Sequence, residues 1–215
     1  MEDQKEFLID AGPLVAAIKT LKPFISDDDA RPYLGGVFFE LEEESQIINL
    51  VATDGAKLCV LNLPVDRQEL FFNGALSAII PEKALDTILA MLKGVQAGCP
   101  IALRFTGTHL FIDTPDEKGE FKCIDQHFPK YREVIPSKKP KFVIGLAKAQ
   151  AQEAMKALST QVGGERWEMT DEYSPLVIRA ENKLVVVMPM RVTIPGELSA
   201  APAENSTQRD IEDRS

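Results

Sequence analysis

The residues best suited to chemistry in this chain are few, and they are scattered. Only two histidines occur, His109 and His127, both in or beside strand-like sequence, and no HExxH helix surrounds either. No GxSxG elbow, GxxxxGK[ST] phosphate loop or GxGxxG helix opening is present, so the motif routes to hydrolase, NTPase and dehydrogenase chemistry are absent. Cys59, Cys99 and Cys123 are odd in number, widely spaced and set in apolar sequence, which predicts buried free thiols and neither disulfides nor a CxxC metal site. Asp27, Asp28 and Asp29 are adjacent carboxylates in a loop after a helix and read as solvated, not as metal ligands. No metal and no cofactor is expected. Met188 and Met190 flank Pro189 at the end of an apolar strand, and methionine suits both core filling and adaptable peptide-binding surfaces.

The elements that carry these residues repeat. Three stretches follow the order strand, helix, three strands. The first opens with Phe7-Leu8-Ile9 and predicts a helix from about Pro13 to Phe24, with Leu14, Ile18 and Leu21 at helical spacing, then the strands GGVFFELE, IINLVATD and KLCVLNLPV. The second runs from ALSAIIP into a helix from about Glu82 to Lys93, striped by Leu85, Ile88, Leu89 and Leu92 and stopped by Gly94. Strands IALRFTG, HLFIDT and EFKCIDQ follow, the last two joined by an acidic hairpin turn near Asp116. The third runs from KFVIGL through a helix carrying Leu146, Ala154, Met155 and Leu158 to ERWEMT, SPLVIRA and KLVVVMPMRV.

Domain boundaries follow from this order. A two-repeat domain is expected over 1–128, with repeats at 6–65 and 74–127, then a connector at 129–140, a half domain at 141–192 and a disordered tail at 193–215. The connector sequence YREVIPSKKPK contains two prolines and four basic residues and reads as extended. The expected class is α+β, with helices on one face of antiparallel sheets.

Charge bears on partners. The net charge of −9, from 24 basic and 33 acidic residues, argues against a uniformly basic coat for nucleic acid. Its distribution matters more than its sum. Each predicted helix carries two lysines, Lys19 and Lys22, Lys83 and Lys93, Lys148 and Lys156, with few acids of its own. Such a face can lie across a phosphate backbone without reading sequence. No apolar run of about 18 or more residues occurs and no basic leader precedes an apolar stretch, so no membrane span or secretion is expected and the compartment is read as cytoplasmic.

Arg31 to Val65, RPYLGGVFFE through LVATDGAKLCVLNLPV, resembles the middle domain of the bacterial DNA polymerase III β subunit, the sliding clamp. The same domain's closing motif is matched by FPKYREVIP, Phe128 to Pro136, and the family's C-terminal strand by SPLVIRAENKLVVVMPMRV, Ser174 to Val192. ATDG, FPxYRxVIP and VMPMR occurring in order make the resemblance specific over most of residues 6 to 192. It implies a DNA clamp fold of repeated βαβββ units and a non-catalytic processivity subunit of the DNA polymerase III holoenzyme. Double-stranded DNA would pass through a ring, contacted without sequence preference by the helix lysines together with Arg31 and Tyr33. It also implies a pocket for short peptides of DNA polymerase and the clamp loader, formed by Leu34, Thr53, Gly55, Lys57, Leu58, Pro129, Val134, Val186, Met188, Pro189, Met190 and Arg191.

Three departures from the family pattern qualify these implications. Ala56 stands where histidine is common, Glu133 where a basic residue is frequent, and Asp27 to Asp29 make the loop on the DNA side acidic. About three repeats are present where a usual clamp subunit has about six, so a homo-oligomer is expected. Four copies would supply a ring, with third repeats paired across a two-fold axis. The alternative is a clamp-like adaptor or decoy that keeps the peptide pocket and forms no ring.

Overall fold

The computed structural model describes residues 5–42, 45–65, 76–96, 98–138, 140, 143–158, 165–171, 173–180 and 183–190. Arg191 and the expected tail at 193–215 lie outside them. Two compact units are divided between Pro136 and Ser137.

In the first unit, β1 (Lys5–Asp10) runs straight into α1 (Ala11–Leu21). The helix starts two residues earlier than the sequence suggests because Asp10, still extended, caps it by accepting from Gly12 N at 2.9 Å. The same oxygen accepts from Gly98 N at 2.9 Å, tying the start of α1 to the loop before β6 (Pro100–Thr106). Pro23 lacks an N–H, so α1 stops at Leu21 and Lys22–Phe24 tighten into a 3₁₀ turn. Ala11, Leu14, Ala17, Ile18 and Leu21 form its buried face.

β2 (Gly36–Leu41), β3 (Ile47–Thr53) and β4 (Leu58–Pro64) follow α1, and β5 (Leu76–Pro81) leads into α2 (Glu82–Met91). After β6 come β7 (His109–Asp113) and β8 (Lys118–Lys122). The repeats hold in chain order but do not fold separately. One sheet is ordered β1-β6-β7-β8 and the other β4-β3-β2-β5, so each repeat gives its first strand to the other repeat's sheet. Both exchanges span six antiparallel residue pairs, from Lys5↔Phe105 to Asp10↔Pro100 and from Gly36↔Pro81 to Leu41↔Leu76. A bridge from Ile79 to Ile124 joins β5 to the chain just past β8.

Both helices and the inner faces of both sheets share one core. Val37, Phe39 and Leu41 of β2 and Ile101, Leu103 and Phe105 of β6 point into it and are buried. Side chains buried this fully contribute roughly 1.5–3 kcal/mol each.

The expected extended connector is corrected in its first half. Tyr131–Val134 form a 3₁₀ turn, and Tyr131 is buried within the first unit. The physical reason is an aromatic and ionic anchorage to β2, set out below.

The second unit contains α3 (Lys148–Leu158), β9 (Arg166–Glu168), β10 (Leu176–Ala180) and β11 (Lys183–Val187), with sheet order β11-β10-β9. Its small core joins Ala154, Leu158, Leu176, Ile178 and Val187, with Leu146 packed against it from two residues before the helix. Met155, carried by α3 beside the buried Ala154, is exposed, because no element among the described residues covers that side of the helix.

Candidate functional site

The β3–β4 hairpin is built by short polar side chains. Thr53 pairs with Leu58 across it, and its hydroxyl donates to Lys57 O at 2.7 Å while accepting from Gly55 N at 3.1 Å. Asp54 accepts from Ala56 N, Lys57 N and Lys57 Nζ at 2.7–2.9 Å. The Lys57 side chain and those two amides hold the Asp54 carboxyl far below the ordinary carboxylate range. Gly55 adopts φ +94°, and a Cβ there would lie 2.8 Å from the Arg31 guanidinium.

That approach places Arg31 against the rim of the same loop, itself fixed by Asp28 at 2.8 Å. Arg31 was expected only on the DNA side, and no sequence signal marks its position beside Gly55. Lys57 Nζ lies 5.9 Å from the Phe24 ring centroid. Leu34 is buried in the 3₁₀ turn Pro32–Leu34 immediately before β2, and Tyr33 is half-buried beside it. Leu34, Thr53, Gly55, Lys57 and Leu58 therefore belong to one end of the second sheet, where β2 begins and β3 turns.

The closing motif covers the outer face of β2. Phe128 stacks on Phe38 with ring centroids 4.7 Å apart, and Tyr131 meets the same ring edge-on at 6.5 Å. The Tyr131 hydroxyl donates to Glu40 at 2.6 Å, and Arg132 reaches Glu40 at 2.8 Å and Glu42 at 2.7 Å. Burial alone would raise the Glu40 carboxyl, but hydrogen bonds from Arg132 and Tyr131 outweigh it and hold the group below its ordinary range. Pro129 and Val134 stand out from this anchorage, Val134 with 71% of its surface exposed. Phe38 and Glu40 were not expected at the site. Their signal was present in GGVFFELE, where they alternate with the core residues Val37, Phe39 and Leu41.

In the second unit, Val186, Met188 and Met190 are all more than half exposed, with Met188 at 59%, and Pro189 is half-buried between the methionines. A cavity of about 360 Å³ opens between α3 and β11, lined by Gln150, Glu153, Ala154, Ala157 and Val185 to Met188. Gln150 and Glu153 were not anticipated; one turn apart on α3, they give an apolar cleft a polar rim.

The lysines divide by environment. Lys19, Lys83, Lys93 and Lys148 are exposed and make no ion pair among the described residues. Lys22 is engaged: it contacts Asp86 closely and Glu82 at 3.5 Å, tying the end of α1 to the start of α2. The hydrogen bond with Asp86, helped by both carboxylate charges, raises its pKa. Lys156 is exposed on α3.

A family model for the DNA polymerase III beta subunit, central domain, matches residues 9–130. The chain belongs to this family. The match spans α1, α2, the exchanged sheets, the Asp54 hairpin and the start of the closing motif. The beta sliding clamp of Escherichia coli strain K12 is 29% identical over 135 residues, which is 63% of this chain and 35% of that protein. The Haemophilus influenzae beta sliding clamp is 28% identical over 144 residues, 67% of this chain and 37% of that protein. The chain thus spans little more than a third of the length of these relatives.

Solved structures share the clamp fold. The Caulobacter crescentus (C. crescentus) beta sliding clamp superposes with a TM-score of 0.72 at 19% identity, covering 86% of this chain and 50% of that one. The Helicobacter pylori beta clamp bound to a DNA ligase peptide gives 0.61 at 17% identity, covering 89% and 67%. The α+β class with repeated clamp units agrees with this likeness. Among the described residues no helix is long and apolar enough to cross a membrane.

Proposed function

We propose that this protein is a sliding clamp, a non-catalytic processivity factor that encircles double-stranded DNA in the cytoplasm as a homo-oligomer. It holds DNA polymerase and the clamp loader through their short peptide motifs. The observation that carries this reading is the family match over residues 9–130, which falls on strand-exchanged repeats whose helices display Lys19 and Lys83, with Lys93 in the turn just past α2, all without ion-pair partners among the described residues.

The mechanism is topological. Exposed lysines meet phosphates without reading bases, so the protein slides, and closure of the ring prevents escape. A polymerase tethered to it stays at high effective concentration beside the primer end, which raises processivity with no bond made or broken. Two surfaces, each taken within its own unit, suit peptide capture: the Asp54 hairpin with Leu34, Leu58 and Arg31 at its rim in the first unit, and the apolar Val186, Met188 and Met190 in the second. The Helicobacter pylori relative, crystallised with a DNA ligase peptide, supports that use.

The test is loading onto nicked circular DNA by a bacterial clamp loader. Retention on the circle, lost when the circle is linearised, is expected. Failure of retention together with binding of a Gln-Leu-Phe type peptide would replace the ring by an adaptor, and absence of both would remove the whole reading.

A further inference from the structure

We propose that the third repeat completes its fold by exchanging its first strand with the third repeat of a second copy of this chain. In the first unit neither repeat closes alone. β1 lies along β6 and β5 lies along β2, so the strand following each helix is flanked by the other repeat's first strand. The third repeat follows the same plan up to that step. Ile79, three residues before α2, bridges to Ile124 just past β8; Gly145, three residues before α3, bridges to Met190 just past β11, with Met190 N donating to Gly145 O at 2.8 Å. The segment around Gly145 therefore occupies the place of β5.

What differs is the other edge. β5 is paired there with β2 over its whole length, whereas 143–146 and the outer edge of β9 have no strand partner among the described residues. An exposed edge with a neighbouring apolar surface is a template for another strand.

Trp167 shows that the missing neighbour belongs on the core side as well. It is in register with Ile178, which is in register with Val185, so it shares the helix-covered face of the sheet. Ile178 is buried, yet Trp167 remains 49% exposed. The corresponding inward residues of β2 and β6 are buried, because an exchanged strand and a second helix cover them. Met155 of α3 is likewise 42% exposed, whereas Leu89, at the same distance from the start of α2, is packed against the core of the first unit.

A second copy fits this deficit because the exchange is reciprocal. Each third repeat offers a first strand and lacks one, so a two-fold axis satisfies both with the antiparallel geometry that the first unit already uses. The pairing needs nothing from the DNA reading and can hold or fail independently of it.

Trp167 is the sole tryptophan and reports the event directly. The full chain is examined by sedimentation equilibrium and by Trp emission across a dilution series from tens of micromolar down to nanomolar. Expected are twice the chain mass and blue-shifted emission at high concentration, both lost together on dilution. Amide exchange at Val143, Ile144 and Arg166–Glu168 should slow as the dimer fills. Met155→Glu, placed on an exposed side chain so that the fold is kept, should leave a monomer with red-shifted emission. A monomer with exposed Trp at tens of micromolar overturns the proposal. So does a monomer with buried Trp, which would mean that the same chain covers the edge, and so does a dimer whose Trp emission and edge amides ignore concentration.

Discussion

Tyr131 donates its phenol to Glu40 at 2.6 Å across 91 residues of sequence, fastening the closing motif of the first unit to the outer face of β2. Arg132 grips the same carboxylate at 2.8 Å, and Phe128 stacks on the adjacent Phe38. Removing only the hydroxyl should release this fastening without creating a cavity. Tyr131→Phe is expected to cost about 1–2 kcal/mol, as for a hydrogen bond to a charged, partly buried group. Urea denaturation should show the midpoint falling with an unchanged slope.

The same cluster sets a pH dependence with two limits. Glu40 is held below its ordinary value of 4.5 in the folded protein, so its contribution is present above that value and is lost as pH falls through the lowered one. Tyr131 is raised well above its ordinary value of 10.0, first by burial and then by the Glu40 hydrogen bond, so its contribution is complete below pH 10.0 and fades as pH rises beyond it. Stability of wild type measured against Tyr131→Phe should differ most between these limits. A difference that stays constant from pH 3 to pH 11 would assign the effect to packing alone.

Gly36 is required by the strand exchange. It faces Pro81 in the β2–β5 register, and a Cβ would stand 2.2 Å from Ile80 O, a backbone atom that cannot rotate away. Gly36→Ala should therefore cost roughly 3 kcal/mol or more, through displacement of β5 and not through backbone conformation. Thermal unfolding is the measurement, with Gly107→Ala as the control, because a Cβ there meets nothing within 4 Å.

Much of the fold was legible because it is local. Helical spacing in Leu14, Ile18 and Leu21, the strand alternation of GGVFFELE and the start of α2 at Glu82 all rest on near neighbours, whereas α2 ends at Met91, short of the expected stop at Gly94. The strand exchange was not, since alternation tells which face of a strand is buried but not which strand lies at its edge. For the same reason Lys22 looked like a free cation: its acids, Glu82 and Asp86, lie on another helix. The turn at Tyr131 was hidden by the prolines at positions 136 and 140, which argue for extended chain, while the partners that bend it are Phe38 and Glu40.

Cys123 should be silent to alkylation in the native protein. It is buried, and that burial pushes its thiol up to about 11, so thiolate is scarce near neutral pH. Iodoacetamide at pH 7.5 followed by peptide mass mapping should leave Cys123 unmodified until denaturant is added. Rapid native labelling of Cys123 would mean that the edge of the first sheet opens at low cost.

The division among the lysines gives a salt-dependence test of DNA contact. A lysine that neutralises a phosphate releases a counterion, so its removal lowers the slope of log affinity against log salt by about 1. Lys19 and Lys83 are exposed without ion-pair partners among the described residues, whereas the charge of Lys22 is already met by Asp86 and Glu82. Lys19→Ala and Lys83→Ala should each flatten the salt dependence of retention on nicked circular DNA. Lys22→Ala should leave that slope unchanged while loosening the junction of α1 with α2, visible as a small loss in thermal midpoint. A flattened slope for Lys22→Ala, with none for the other two, would mean that phosphate outcompetes the two carboxylates and that DNA lies against the end of α1.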